Sequence, residues 1–354
     1  MNRYIVDTQN KNDYTAGSKA RDDIKNILNS VGFQDITIQI GENKKNVIRE
    51  VTSIKSQLEA KLSGVESNSF ILFQYPWPTM SFEFAKIIKR VASKKKLTTI
   101  AVIHDLNSVR TGSSLTRLYY NNYVKEIKYL DCFDHIICHN EKMKQYLVGK
   151  GIAASKIVCL ELFDYLLDNS DDESQHDTDF HTLSIAGNLS PEKTKYIYEL
   201  VDSGLDAYAL NLYGPFYEGK TSDHVRYRGQ FPASSLPYKI TNGFGLVWDG
   251  DSADTCTGHF GEYLKINNPH KLSLYMACGV PAFVWKEAAV ADFVKKYQVG
   301  ICIEHLSDID TLMSSITEAD YADLKKNAET IHSQVTSGYY IKKALSAINK
   351  DLIG

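Results

Sequence analysis

Residues 267–285 read Asn-Asn-Pro-His-Lys-Leu-Ser-Leu-Tyr-Met-Ala-Cys-Gly-Val-Pro-Ala-Phe-Val-Trp, and this stretch limits the fold more tightly than any other. It spells a loop, a short helix, a stop and a buried strand. Pro269 fits a first helical turn, where its missing N–H costs nothing. Leu272, Tyr275 and Met276 recur at the spacing of one helical face. Gly279 stands where a left-handed cap is wanted, and Pro281 keeps the helix from resuming. Residues 282–285 form an apolar run of the kind that a parallel strand shows when both its faces are covered. His270 and Lys271 therefore open a helix beside a strand end, which is where α/β proteins hold phosphate groups. A solvated first-turn lysine has the same spacing.

The same alternation runs through the rest of the chain. In the first half, residues 4–7, 36–40, 69–74, 98–103, 135–138 and 157–160 read as strands. Residues 20–30, 47–62, 82–93, 115–130 and 141–150 read as the helices between them, the fourth long and rich in tyrosine. Residues 169–179 are acidic, polar and without period, and read as a linker or mobile loop. The pattern then restarts, with strands at 183–188, 209–213, 244–248, 282–285 and 300–303 and a loop of Asp, Gly and Thr running to Glu262. Strands alternating with helices predict an α/β fold, a parallel sheet covered on both faces. A chain of 354 residues is long for one core and predicts two domains.

Charge is unevenly shared. Residues 1–164 hold 24 Lys and Arg against 17 Asp and Glu, a balance of +7, and the remainder carries −10. Much of the excess lies on the amphipathic helix at 82–93 and its tail Lys94-Lys95-Lys96, a cationic face suited to anionic lipid or a pyrophosphate-linked acceptor. A solvated helix face has the same composition. No apolar run approaches the roughly 20 residues that span a bilayer. The first residues enter a strand without a signal-peptide core, so a cytoplasmic location is expected, with peripheral contact at the inner membrane face left open. The six cysteines form no C-x-x-C pair, and neither disulfides nor structural zinc are expected.

In open α/β sheets ligands bind beyond the carboxyl ends of the strands. In the first half that rim offers 13–18, 74–79 and His104-Asp105. In the second it offers Gly187-Asn188, 213–215, 230–232, 249–262 and 268–271. Asp105 follows a buried run, and a half-buried carboxylate there suits a general base, as does His104. The alternative is an Asp that caps the following turn. Gly187-Asn188 ends a strand with its amides able to face a phosphate, and Lys193 lies a few residues on. The dinucleotide fingerprint and the Walker A motif are both absent, which argues against NAD and against an ATPase. There is no serine nucleophile elbow and no metal-ligand cluster.

Three segments carry a resemblance: residues 243–251 (Gly-Phe-Gly-Leu-Val-Trp-Asp-Gly-Asp), 261–265 (Gly-Glu-Tyr-Leu-Lys) and 267–285. Ile103-His104-Asp105, Ala186-Gly187-Asn188 and the last helix support it. With these residues the chain resembles GT-B glycosyltransferases. It is most similar to the bacterial family of β-1,6-galactofuranosyltransferases and of the glucosyltransferase that extends GlcNAc on streptococcal adhesins. The resemblance implies two Rossmann-like doubly wound domains facing across a cleft. They would be an acceptor domain at 1–165, a linker at 166–182, a nucleotide-sugar domain at 183–332, and a helix at 333–354 that crosses back to the first domain. By position, Lys271 and Lys193 would meet the donor phosphates, and Gly187 and Asn188 would line the same pocket. Gln230 and Phe231 would lie near the base, and Asn268 and His270 near the sugar or phosphates. Gly17, His104 and Asp105 would face the acceptor.

Many retaining members of this fold carry Glu-x7-Glu beside the donor sugar, whereas here Glu287 is followed eight positions on by Lys295. The departure favours inversion. The resemblance thus implies a metal-independent, UDP-sugar-dependent hexosyltransferase without a cofactor, acting on a saccharide, lipid-linked or glycoprotein acceptor in cell-surface glycan synthesis. UDP-galactofuranose is the expected donor and UDP-glucose the alternative. A non-catalytic glycan-binding chaperone subunit is a third reading. Nucleic acid is not an expected partner, and homo-oligomerisation stays open.

Overall fold

A computed structural model describes residues 2–9, 16–41, 47–168 and 179–353. Of the stretch 9–19, which reads as a polar loop, residues 10–15 lie outside the described residues and 16–19 belong to the helix Ala16–Ser30; most of the acidic stretch at 169–179 also lies outside the described residues. The chain packs as two units, Met1–Leu160 with Ile341–Gly354, and Glu161–Tyr340.

Among the described residues the first unit holds six strands, β1 (Arg3–Gln9), β2 (Gln34–Gln39), β3 (Phe70–Tyr75), β4 (Thr98–Ile103), β5 (His135–Cys138) and β6 (Ile157–Cys159). They form one parallel sheet in the order β2-β1-β3-β4-β5-β6. Every residue of β3 is buried, as a strand covered on both faces requires, whereas edge strand β2 alternates. The order reverses between β1 and β3, so ligand chemistry is expected at their carboxyl ends.

The second unit repeats the architecture with β7 (Thr182–Ala186), β8 (Ala209–Tyr213), β9 (Val225–Gly229), β10 (Phe244–Val247), β11 (Ala282–Trp285) and β12 (Gly300–Ile303). The described strands pair in parallel in the order β12-β11-β10-β7-β8-β9. Read from β9, this is the Rossmann order, and its reversal falls between β7 and β10.

Three sequence expectations need correction. The Tyr-rich segment is not one helix. It is a short helix Ser114–Leu118, a π-helical turn Tyr119–Val124 and a second helix Glu126–Asp131, divided by Lys125 in the left-handed region at φ 53°. The break turns Glu126 inward onto buried partners, which outweighs the helical period of the run. The loop expected up to Glu262 contains the helix Gly258–Leu264, whose Gly261 packs against the Cys256 carbonyl at a distance that admits no side chain. Pro269 is the N-cap of the helix His270–Ala277 and lies just outside its first turn.

The stop at Gly279 forms as the sequence requires. Its φ is 67°, its N–H donates to Met276 O, and Val280 N–H reaches back to Tyr275 O, the paired bonds of a Schellman cap. The basic helix Phe82–Lys95 buries Phe84, Ile87, Ile88 and Val91. Several of its cations are engaged within the unit: Lys86 with Glu83, Arg90 with Glu59, and Lys95 with the Ser63 and Val65 carbonyls. The last helix, Tyr339–Ile348, passes from the second unit into the first, where Arg3 Nη1 donates to Leu352 O at 2.9 Å. Among the described residues no helix is long and apolar enough to cross a membrane.

Candidate active site

The second sheet builds its site from one missing side chain. Gly245 on β10 pairs with Ser184 on β7, on either side of the reversal. A Cβ at Gly245 would stand 2.1 Å from the Tyr275 ring, so the ring lies flat on the sheet there. The Tyr275 hydroxyl donates to Ser184 O at 3.0 Å and accepts from Ala186 N at 3.3 Å. These contacts fix the helix His270–Ala277 over the two central strands. Lys271 is one turn ahead on the same face, so its side chain falls at their carboxyl ends.

There the Lys271 ammonium donates to Trp248 O at 2.9 Å and meets Asp249 Oδ1 at 3.2 Å, while its Cε lies 4.0 Å from where a Gly187 Cβ would be. The Lys271 side chain is 20% exposed. Burial works against its charge, but the Asp249 carboxylate, with Tyr196 and Tyr275, outweighs it and holds the ammonium above the usual lysine range. The Tyr196 hydroxyl is fully buried and is pushed up to about 12, chiefly by burial, with Lys271 pulling the other way. The result is a fixed positive charge at the switch point.

The other expected donor residues are placed as follows. Asn188 is half-buried, its Oδ1 accepting from Ser190 N at 2.9 Å. Lys193 is exposed on the following turn, and Gln230 is exposed after β9. Phe231 packs against Tyr213, with the Lys239 ammonium over its ring. Asn268 is 4% exposed and donates to Glu161 O at 2.9 Å, so it braces the chain ahead of the helix. His270 stacks on Tyr165, with ring centroids 5.0 Å apart. Glu287 pairs with Lys265 at 3.4 Å.

The first unit gathers a second cluster at its own reversal. His104 Nε2 donates to Gln74 Oε1 at 2.9 Å, and Gln74 Nε2 donates to Arg21 O. The Arg21 guanidinium reaches Gln74 O, Pro76 O and, at 3.6 Å, Asp7 Oδ1. Burial lifts Asp7 above the ordinary carboxylate range against the pull of Arg21. Asp105 Oδ2 accepts from Arg110 Nη1 at 2.8 Å. Gly17 lies in the first turn of the helix Ala16–Ser30. Trp77 is a core residue packed on Phe73 and Phe84.

Asp249, Tyr275 and Glu126 went unassigned at the sequence level. Asp249 is one acid in an acidic loop, and Tyr275 carries only a helical period. Glu126 sits inside a run that reads as helix throughout.

Two Rossmann-like parallel sheets, each with polar side chains gathered at its reversal, define the architecture of the GT-B fold. Models described as the N-terminal and C-terminal domains of Glucosyltransferase 3-like proteins match residues 2–162 and 183–348. The chain is 33% identical to Beta-1,6-galactofuranosyltransferase WbbI of Escherichia coli (strain K12), over 99% of each chain. It is 23% identical to Glucosyltransferase 3 of Streptococcus gordonii, over 92% of each. Its fold matches the lipopolysaccharide outer core galactosyltransferase WaaB with a TM-score of 0.60 at 11% identity, over 99% of this chain and 100% of that one. The chain belongs to the Glucosyltransferase 3-like family.

Proposed function

We propose that the chain transfers a galactofuranosyl unit from UDP-galactofuranose to a saccharide acceptor, with inversion at the anomeric carbon and without a metal ion. The observation that carries the reading is the half-buried Lys271 ammonium at the switch point of the second sheet. A fixed cation at that place suits the diphosphate of a nucleotide-sugar. The name of the relative at 33% identity favours galactofuranose. The more distant Glucosyltransferase 3 favours UDP-glucose as the second reading.

In this reading Lys271 and Lys193 bind the phosphates, and Gly187 and Asn188 line the pocket. Gln230 and Phe231 flank the base, while Asn268 and His270 shape the sugar end. Gly17, His104 and Asp105 belong to the acceptor side. Asp105, or His104 beside it, takes the proton of the acceptor hydroxyl as that oxygen attacks the anomeric carbon. The bond from that carbon to the diphosphate oxygen breaks, and UDP leaves with the bonding pair. Lys271 stabilises the charge that grows on the leaving phosphate.

Asp105→Asn tests the base. Turnover should fall by about 10²–10⁴-fold while UDP binding is kept. Normal turnover in that variant would remove Asp105 from the mechanism. Retained activity after EDTA treatment is expected, and a loss that Mg²⁺ restores would overturn metal independence.

A further inference from the structure

We infer that Glu126 is a positioning residue for the reaction, holding the His104-Asp105 turn in place from behind. The inference rests on the reading that this turn acts on the acceptor.

Glu126 is 1% exposed. Its carboxylate accepts from Asn107 N at 3.0 Å, Ser108 N at 3.0 Å, the Ser108 hydroxyl, and Tyr75 OH at 2.7 Å. All four donors are neutral, so the burial of the charge is compensated by hydrogen bonds alone. That arrangement is costly compared with an apolar residue of the same size, and its geometry shows what it serves.

The four-residue helix Asn107–Arg110 follows His104-Asp105 directly, and its N-cap residue is Leu106, which makes no side-chain cap. Glu126, 19 positions away, supplies the cap instead. The first two amides of the turn therefore bind Glu126, although Asp105 is the nearer acid in sequence. Asp105 Oδ2 is held by Arg110, from the end of the same short helix. Leu106, between Asp105 and the helix, is fully buried.

Through Tyr75 the same carboxylate reaches the end of β3. Tyr75 O accepts from His104 N at 2.7 Å, and the neighbouring Gln74 accepts from His104 Nε2. One buried group thus ties the strand end that holds His104 to the helix that holds Asp105. The backbone bends to allow it, since Lys125 adopts a left-handed conformation that disfavours a side chain.

The test is steady-state kinetics of Glu126→Gln beside UDP binding by calorimetry. The amide keeps the shape, but whichever way it is turned its NH₂ faces a backbone N–H, of Asn107 or of Ser108, that can only donate. A misplacement of the turn should lower kcat by about 10–100-fold, with the Kd for UDP unchanged within twofold. Glu126→Asp, which keeps the charge, should recover part of the loss. In an Asp105→Asn background Glu126→Gln should have little further effect, because the group it positions is already gone. If Asp105→Asn and His104→Ala turn over like wild type, the underlying reading fails. If they are inactive but folded Glu126→Gln keeps its kcat, or loses UDP binding in parallel, the positioning role fails. Should Glu126→Gln not fold, Tyr75→Phe with Ser108→Ala removes two donors and keeps the carboxylate. A several-fold loss of kcat with UDP binding intact is then expected, and wild-type kcat overturns the inference.

Discussion

Replacing Lys271 by Met removes one charge and little volume, and its effects can be separated. The side chain has two partners, Trp248 O and Asp249, and the pair with Asp249 is 20% and 26% exposed. At that exposure, screening limits the loss of the pair to about 1 kcal/mol of stability, or about 2–4 °C in a unit of this size. The effect on UDP is larger. One charge-assisted hydrogen bond to phosphate is worth about 1.5–3 kcal/mol, which is about 10–150-fold in Kd. The Asp249 carboxylate, left without its cation, would repel the diphosphate and move the result toward the upper end. The double variant Lys271→Met/Asp249→Asn should therefore recover the lost stability and, of the lost affinity, only the part due to repulsion by Asp249. Asp249→Asn alone should bind UDP at least as well as wild type. Calorimetric titration with UDP and thermal unfolding of the four proteins decide the matter. UDP affinity within threefold of wild type in Lys271→Met, or restored in the double variant, would refute the placement of the donor phosphates.

Two further outcomes follow from packing and burial. Gly245→Ala would drive a Cβ to 2.1 Å from the Tyr275 ring. It should cost about 1–3 kcal/mol and weaken UDP binding as the helix carrying Lys271 shifts; denaturant unfolding and titration would show both. His139 is 1% exposed, donates from Nε2 to Ile103 O, and is pushed down to about 4 by burial, against the pull of its backbone bonds. The unfolded chain binds a proton below about 6.5 that the native state refuses until about 4, so stability falls as pH drops through that window, by about 3 kcal/mol in full and about 2 kcal/mol by pH 5. The carboxyl of Glu126, raised mainly by burial, acts in the opposite sense, losing stability as pH rises above the ordinary carboxylate range. Comparing His139→Asn with wild type at each pH cancels that term, and a slope unchanged by the substitution would refute the assignment.

Much of this was legible because the signals are local. Gly279 caps a helix and Pro281 ends it within three residues, so the stretch at 267–285 fixes its own shape. The strand alternation then gives a parallel sheet, and a parallel sheet says where ligands bind. Lys271 and His104-Asp105 could be listed on that ground before any contact was known. What could not be read depends on partners far along the chain. Asn268 spends its amide on a carbonyl 107 positions away. The Tyr-rich run has a helical period, and only Tyr75 and the Asn107 and Ser108 amides, absent from that period, explain why it breaks before Glu126. The basic helix showed its charge in the sequence, but not that Arg90 and Lys95 would find partners on the neighbouring segment. Gly258 and Gly261 lowered the helical signal of a segment that tertiary packing makes helical.

The most direct test of the donor assignment is thermal unfolding of the wild-type protein with UDP, UDP-galactofuranose, UDP-glucose and GDP, run in parallel on Lys271→Met. A ligand at about 100 times its Kd adds about 2.7 kcal/mol to stability. The expected result is stabilisation by UDP and most by UDP-galactofuranose, none by GDP, and little of either response in Lys271→Met. Stabilisation by UDP-glucose above UDP-galactofuranose would transfer the donor to glucose. No response to any uridine nucleotide, or an equal response in Lys271→Met, would contradict a nucleotide-sugar site at the switch point of the second sheet.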